Sequence, residues 1–581
     1  MRKFLLLLLL WAGGVHAQTI WVSGAVEDSI THRPVAGATV SIVDDTTRVL
    51  TNAFGLFRIT IPSAVAQLLF TREGYRPLQM KVNATDRLLI TLAPIRKAPD
   101  AIALAKASAR TRQNSNPNYG NVGMGIHAFY NETYGTTYEN KFTRAQTQPV
   151  SVFAVDVDRA AYSNIRRFLR LKEPVPVDAV RIEEMVNYFH YNYPLPPEGK
   201  TLAVYSHYTT CPWEPAHRLL QIALRAKALQ TDSLPPSNLV FLIDVSGSMG
   251  VPNKLPLLQA AFRILVNNLR PVDKVAIVAY AGTPGVKLPA TAGDQKEKIL
   301  NAIDNLSAGG ATAGEAAIKM AYQIAAEQFI PDGNNRVILA TDGDFNVGLT
   351  SDAEMEELIM QKKESGVLLT CLGFGMKNYK DSKLQSLSSK GNGNFAYIDD
   401  LEEASKVFAR EFGSTLFTVA RDVQTEVTFN PGTVKSYRLI GYENKVYEAS
   451  TDTLSKHNGG IIGSGHCAVA MYEIVPRDSV MAADSLLANV SITYRHPLDT
   501  VLCTLQTGVK ANATTFEAAP DDCRFAAAVA LLGMILRNSA YRGCGDTEMV
   551  SEIARRALGK DKEGYRQEFL KMVKMVRKMK R

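Results

Sequence analysis

Asn238-Leu239-Val240-Phe241-Leu242-Ile243-Asp244-Val245-Ser246-Gly247-Ser248-Met249 decides the fold of the central third of this 581-residue chain. Five consecutive apolar residues end abruptly in a carboxylate and two hydroxyls. An unbroken apolar run of this length suits a strand buried on both faces, and a half-exposed strand would alternate instead. The same kind of run recurs at Lys274–Tyr280, Arg336–Thr341, Val367–Gly373 and Asn394–Ile398. Amphipathic helical patterns fall between them at Leu255–Leu269, Gln295–Asn305, Gly314–Gln328, Asp352–Lys363 and Leu401–Phe412. Repeated strand–helix units predict a largely parallel, doubly wound α/β sheet over residues 238–412, with ligands expected beyond the carboxyl ends of the strands.

The residues at those ends are therefore the ones to inspect. Asp244, Ser246 and Ser248 share one short loop, and Gly247 lets it turn tightly. Thr312 follows Gly309-Gly310-Ala311 just before a helix, and Asp342 closes the strand Arg336–Thr341. All five are hard oxygen donors, which suit Mg²⁺ or Mn²⁺ better than zinc. The simpler reading of such residues is a capped turn, but five donors on one predicted edge argue for an ion. In this order the five residues resemble the metal-ion-dependent adhesion site (MIDAS) of the von Willebrand factor type A (VWA) domain, a Rossmann-like α/β fold. The resemblance implies a divalent ion with one coordination position open to a carboxylate of a protein partner. Asp344 is not required by the motif.

Outward from this domain, Val155-Asp156-Val157-Asp158, Val180-Arg181-Ile182-Glu183-Glu184 and Cys211-Pro212-Trp213 precede it. Asn430-Pro431, Tyr437–Glu443 and Gly463-Ser464-Gly465-His466 follow it. Both flanks resemble those of exported bacterial VWA proteins, a family without an established activity. They are expected to be α+β segments over 149–237 and 413–581, with the strands of 202–224 and those after 423 joined in one composite β-sandwich. Asp158 and Asp178 are expected to cap the helices that follow them. Residues 96–148 lack apolar periodicity and read as a flexible linker whose tyrosines offer docking points.

Short strand patterns broken by turn residues fill residues 18–95 and predict a small all-β sandwich. Gly24-Ala25-Val26-Glu27-Asp28, Pro34–Val40, Thr51–Phe57 and Gly74-Tyr75 resemble the carboxypeptidase regulatory-like domain, a prealbumin-type module without catalytic residues. Ahead of it, Arg2-Lys3, the apolar run Phe4–Trp11 and Val15-His16-Ala17 have the form of a secretory signal over residues 1–17, so an exported protein is expected, periplasmic, surface-bound or secreted.

The net charge of +8 resides at the two ends. Arg2, Lys3 and the six basic residues of Lys571–Arg581 account for all of it, which leaves a neutral body and disfavours nucleic acid as a partner. The last helical pattern, near Gly564–Lys580, has an apolar stripe and a basic face. Packing into a core is the favoured reading, and contact with an anionic membrane surface the lesser one. Six scattered cysteines form no C-x-x-C pair, and any bridge is expected among the last four. Neither G-x-S-x-G nor H-E-x-x-H occurs, and His466 and Cys467 should point to opposite faces of a strand. No catalytic residue is nominated. The expected function is metal-dependent protein binding; a metal-dependent envelope hydrolase and an assembly or scaffold factor are the alternatives.

Overall fold

The computed structural model describes residues 20–94 and 132–579, short of 30–34, 44, 46, 53–54, 63–64, 84–86, 133, 136, 156–157, 231–233, 282–283, 311–313, 344–351, 376–378, 412, 414–415, 444–445, 448–458, 478–484 and 498. The signal segment and most of the expected linker lie outside these residues. The chain divides into two compact units, Met1–Val122 and Gly123–Arg581.

In the first unit Ile20–Asp28 pairs antiparallel with Leu56–Ile61 and parallel with Arg87–Leu92. A second, four-stranded antiparallel sheet runs in the order Arg48–Leu50, Thr39–Ile42, Val65–Thr71, Leu78–Asn83. Alternate residues such as Phe57, Ile59, Leu68 and Phe70 point into a shared core, as period-2 patterning requires. Gly24 is fixed by crowding: a Cβ there would lie 2.3 Å from the Leu88 carbonyl oxygen of the neighbouring strand.

The central domain carries six strands in the order Gly285–Ala292, Lys274–Tyr280, Ser237–Asp244, Asn334–Thr341, Leu368–Phe374, Phe395–Ile398. All pair in parallel except the edge strand Gly285–Ala292, which is antiparallel to its neighbour and was not anticipated. Every residue of Ser237–Asp244 is buried. Phe241 and Ile243 pack with Leu258 and Phe262 on one face, while Val240 and Leu242 meet Ile318 and Tyr322 on the other. Two covered faces explain the continuous apolar run, since each such side chain stabilises by roughly 1.5–3 kcal/mol when removed from water.

The flanks interleave around this domain, as the composite sandwich requires. One sheet takes Leu202–Thr210 and Arg218–Ala226 from before it and joins them to Cys467–Pro476 and Val434–Ile440 from after it. The other sets Val150–Ala154 beside Thr418–Phe429, Leu486–Arg495 and Cys503–Lys510. Phe153, Leu220, Ile222, Val427, Tyr472 and Val490 fill the space between.

Three expectations need correction, the spacer over 137–148 and the caps assigned to Asp158 and Asp178. Residues 137–148 do not behave as a spacer: Thr143–Arg144 pairs with Ser436 and Tyr437, and the Asn140 amide donates to the Leu439 and Gly441 carbonyls at 3.1 and 2.9 Å. A polar segment held by backbone pairing shows no apolar period, so composition alone could not reveal it. Asp158 is not the N-cap of Ala160–Leu171, a position that falls to Arg159. The Asp158 carboxylate accepts from the Phe395 amide at 2.7 Å and so ties the edge strand of the central sheet to the flank, while Asp178 accepts from the Thr137 amide. All six thiols are free, including the last four.

Helices Ala160–Leu171, Ile182–Val186, Asp521–Leu536, Thr547–Arg556 and Tyr565–Met579 form a further core around Trp213. In the last helix Phe569, Met572, Val573 and Val576 are buried, so its apolar stripe is spent on packing. Among the described residues no helix is long and apolar enough to cross a membrane. Deleting residues after Asp561 removes four buried apolar side chains, each worth about 1.5–3 kcal/mol, together with the buried Arg566. Thermal melting of the truncated chain is expected to lose its cooperative transition; unchanged melting would return the helix to the membrane reading.

Glu183 also sits in this region. Its carboxylate accepts from the Tyr442 amide at 3.0 Å, and burial, reinforced by Glu443 and Glu184, pushes its pKa up to about 7. A carboxyl whose pKa is raised on folding favours the folded state at low pH, and that contribution is lost as pH climbs from the unfolded value, about 4, through 7. Urea midpoints at pH 5 and 8 should therefore fall more steeply with pH in the wild type than in Glu183→Gln. Parallel profiles would contradict this.

Candidate metal site

Asp244 ends its strand fully buried, and the chain turns immediately back on it. The Ser246 amide donates to Asp244 Oδ1 at 2.8 Å, which closes a tight Asx turn and aims the serines along the strand edge. The other carboxylate oxygen accepts from the Thr341 hydroxyl at 2.9 Å. Burial raises the Asp244 pKa to about 6 and the nearby Asp342 charge adds to this, while the hydrogen bonds from Ser246 and Thr341 work against it.

From the neighbouring strand, Asp342 reaches the same loop. The Ser248 hydroxyl donates to Asp342 Oδ2 at 2.7 Å, and the Ser246 and Ser248 hydroxyl oxygens are 3.1 Å apart. Four of the five predicted ligands, Asp244, Ser246, Ser248 and Asp342, are thus brought together. Thr312 and Asp344 lie outside the described residues. The loop leading to Thr312 is nevertheless stitched to the motif: the Gly247 amide donates to the Gly310 carbonyl at 3.2 Å, and the Gly309 amide to the Val245 carbonyl at 2.7 Å. Gly310 has φ +82°, with the Ala281 carbonyl oxygen 3.0 Å from where a Cβ would sit. A side chain there would be strained.

Oxygens bound to one octahedral ion with bonds near 2.1 Å are separated by roughly 3 Å along each edge. The Ser246–Ser248 and Ser248–Asp342 separations are close to that spacing, so the donor set fits a small hard cation. Among the described residues no three His, Cys, Asp or Glu side chains converge as a metal cluster, which leaves hydroxyls to complete any shell.

Sequence reasoning missed two residues here. Thr341 orients Asp244 and accepts from the Gly343 amide at 3.1 Å. Lys254, at the start of the helix Leu255–Asn267, places its ammonium 2.7 Å from Asp342 Oδ2. The signal for Thr341 was its adjacency to Asp342; nothing in the linear sequence linked Lys254 to a residue 88 positions away. The histidine and cysteine set aside above are engaged otherwise: His466 Nδ1 lies 2.5 Å from the Arg159 guanidinium, and burial pushes the Cys467 thiol up to about 12. A thiol so raised is not activated for attack.

Comparison with known proteins agrees with this architecture. The model of the carboxypeptidase regulatory-like domain matches residues 21–93, and that of the von Willebrand factor type A domain matches 238–410. A further von Willebrand factor model matches 128–221. The model described as "Uncharacterized protein YfbK, C-terminal" matches 414–579. Uncharacterized protein YfbK of Escherichia coli is 37% identical over 463 residues, which cover 75% of this chain and 80% of that protein. Human inter-alpha-trypsin inhibitor heavy chain H4 is 30% identical over 217 residues, 35% of this chain but only 23% of the heavy chain. Among solved structures, a von Willebrand factor type A protein of Catenulispora acidiphila aligns at a TM-score of 0.36 and 17% identity, over 66% of this chain and 91% of its own. VWA domains commonly hold a divalent ion at this edge and often mediate protein–protein contacts. With one relative this similar over most of both lengths, and a dedicated C-terminal model matched, the chain belongs to the YfbK family of VWA-domain proteins.

Proposed function

We propose that this chain is an exported, non-catalytic binding protein that captures an acidic side chain of a protein partner through Mg²⁺ or Mn²⁺. Asp244, Ser246, Ser248, Thr312 and Asp342 would hold the ion, and the ion would supply a positive centre for the partner's carboxylate. The observation that carries this reading is the convergence of four of those oxygen-bearing side chains at one strand edge, with the Ser246–Ser248 and Ser248–Asp342 oxygens 3.1 and 2.7 Å apart, near the edge length of an octahedral shell. Both carboxylates are already committed to local hydrogen bonds, Asp244 to Ser246 and Thr341, Asp342 to Ser248 and Lys254. That is the behaviour of ligand holders rather than of a general base. Export rests on the apolar run Phe4–Trp11 and the small-residue site at Val15-His16-Ala17.

Calorimetric titration with Mg²⁺ and Mn²⁺ tests the ion directly. Binding in the millimolar range or tighter by the wild type is the expected result; no heat with either ion at ~10 mM would end the metal-dependent reading. Partner capture from envelope extract that survives chelation would make the ion structural.

A further inference from the structure

We propose that Lys254 is a built-in cation that weakens divalent-ion binding and, once the ion is bound, makes the site select a carboxylate. This rests on the metal-dependent reading above and concerns a residue outside the five-residue motif. Three observations carry it.

First, the ammonium lies on Asp342 Oδ2 at 2.7 Å, the same oxygen to which Ser248 donates at 2.7 Å. The charge therefore bears directly on an oxygen of the donor set. Second, both partners are withdrawn from water: Lys254 is 5% exposed and Asp342 fully buried, so solvent screens their interaction little. Third, the position is constructed. Lys254 is placed by the turn that ends the motif loop, its amide donating to the Val251 carbonyl at 3.0 Å. Its methylene stem runs past Gly375, which follows the strand Leu368–Phe374. A Cβ on Gly375 would lie 2.4 Å from Lys254 Cγ and Cε. Gly375 has φ +80°, a conformation that also favours glycine. Backbone and neighbour together leave a channel that only a glycine at that point keeps open for the lysine stem.

The consequence follows from counting charges. Asp244 and Asp342 alone would neutralise a divalent ion and leave little net attraction for a third carboxylate. With Lys254 the protein part of the site carries one net negative charge, so the loaded site carries one net positive charge. The ion is held less tightly, and an incoming anion more so. In the absence of the ion, the ammonium keeps Asp342 from being a buried charge without compensation, which would be costly.

The test uses the full chain with Lys254→Met, which keeps the stem and removes the charge, and Lys254→Gln as a second neutral variant should the first fold poorly. Each is titrated with Mg²⁺ alone and with Mn²⁺ alone, then melted in chelator. The variants are expected to bind either ion about tenfold or more tightly than wild type, because a like charge a few ångströms from the ion has been removed. They should melt at a lower temperature in chelator and recover with Mg²⁺. Acetate, a generic carboxylate, should tighten Mn²⁺ binding by the wild type more than by the variants, since ion and carboxylate affinities are reciprocally linked. Equal ion affinity in wild type and both variants overturns the role of Lys254 while leaving the metal-dependent function standing. Failure of all three proteins to bind any ion overturns that function itself.

Discussion

Replacing Asp244 with alanine is expected to abolish Mg²⁺-dependent partner capture and lower Mg²⁺ affinity by roughly two orders of magnitude or more, while the central domain stays folded. Asp244 anchors the loop from which both serines project, so its loss removes a carboxylate and releases the Ser246 amide together. The folding cost is small by comparison. The two hydrogen bonds lost, from the Ser246 amide and the Thr341 hydroxyl, are worth about 1 kcal/mol each, and removing one of two neighbouring carboxylates offsets part of this by relieving their repulsion. Asp342→Ala should be as damaging to capture, but it leaves the Lys254 ammonium buried without that partner, so its melting temperature should fall further than that of Asp244→Ala. Asp344→Ala should do much less than either. Calorimetry and thermal melting on the three variants separate these outcomes. Wild-type Mg²⁺ affinity in Asp244→Ala would show that the ion does not sit where the motif places it.

The second large effect is expected from Arg166, outside the five-residue donor set. Its guanidinium is buried and bonds Asp399, Glu403 and Glu568, with the Tyr188 hydroxyl at 3.1 Å. One side chain on helix Ala160–Leu171 thus gathers carboxylates from the end of the central domain and from the last helix. Burial lifts the Asp399 pKa to about 6, against the pull of Arg166, so the cluster is already costly to hold in charged form. Arg166→Met would strip Glu403 of this ion pair and leave Asp399 and Glu568 with Arg170, and removing one partner from a buried ionic cluster typically costs 3–5 kcal/mol, about that much here. Urea unfolding should register the whole loss. The exposed pair Arg263–Asp304 is the control, since Arg263→Ala should change stability by less than about 1 kcal/mol. A comparable effect at both positions would mean that the Arg166 cluster is not the clamp its burial implies.

What could be read from the linear chain depended on how each element is covered. The strand Ser237–Asp244 was legible because both of its faces are buried, and an eight-residue segment with no exposed position has little freedom in composition. The edge strand Gly285–Ala292 escaped because only Leu288 and Thr291 are buried in it and Pro289 interrupts its pattern. Asp244, Ser246, Ser248 and Asp342 could be found since strand ends and loop spacing place them on one edge. Lys254 could not, because its role depends on a stem threaded past Gly375, which only the assembled sheet brings near. The segment 137–148 was hidden for a related reason. Phe142 packs edge-on against His217 and Tyr541, long-range contacts that leave no local period. Asp158 has the form of a cap and a different use, since a carboxylate before a helix can equally serve a distant amide.

The insertion of the central domain between interleaved strands has a mechanical meaning. Its two connections to the rest of the unit run to Arg218–Ala226 on one side and Thr418–Phe429 on the other, and each of these is an interior strand of a different sheet. A pull exerted at the metal edge therefore divides between two load-bearing paths. Each path ends in a strand hydrogen-bonded on both flanks, Arg218–Ala226 to Leu202–Thr210 and Cys467–Pro476, Thr418–Phe429 to Val150–Ala154 and Leu486–Arg495. Tension along such a strand loads many hydrogen bonds at once in shear, where an edge hairpin would unzip them singly.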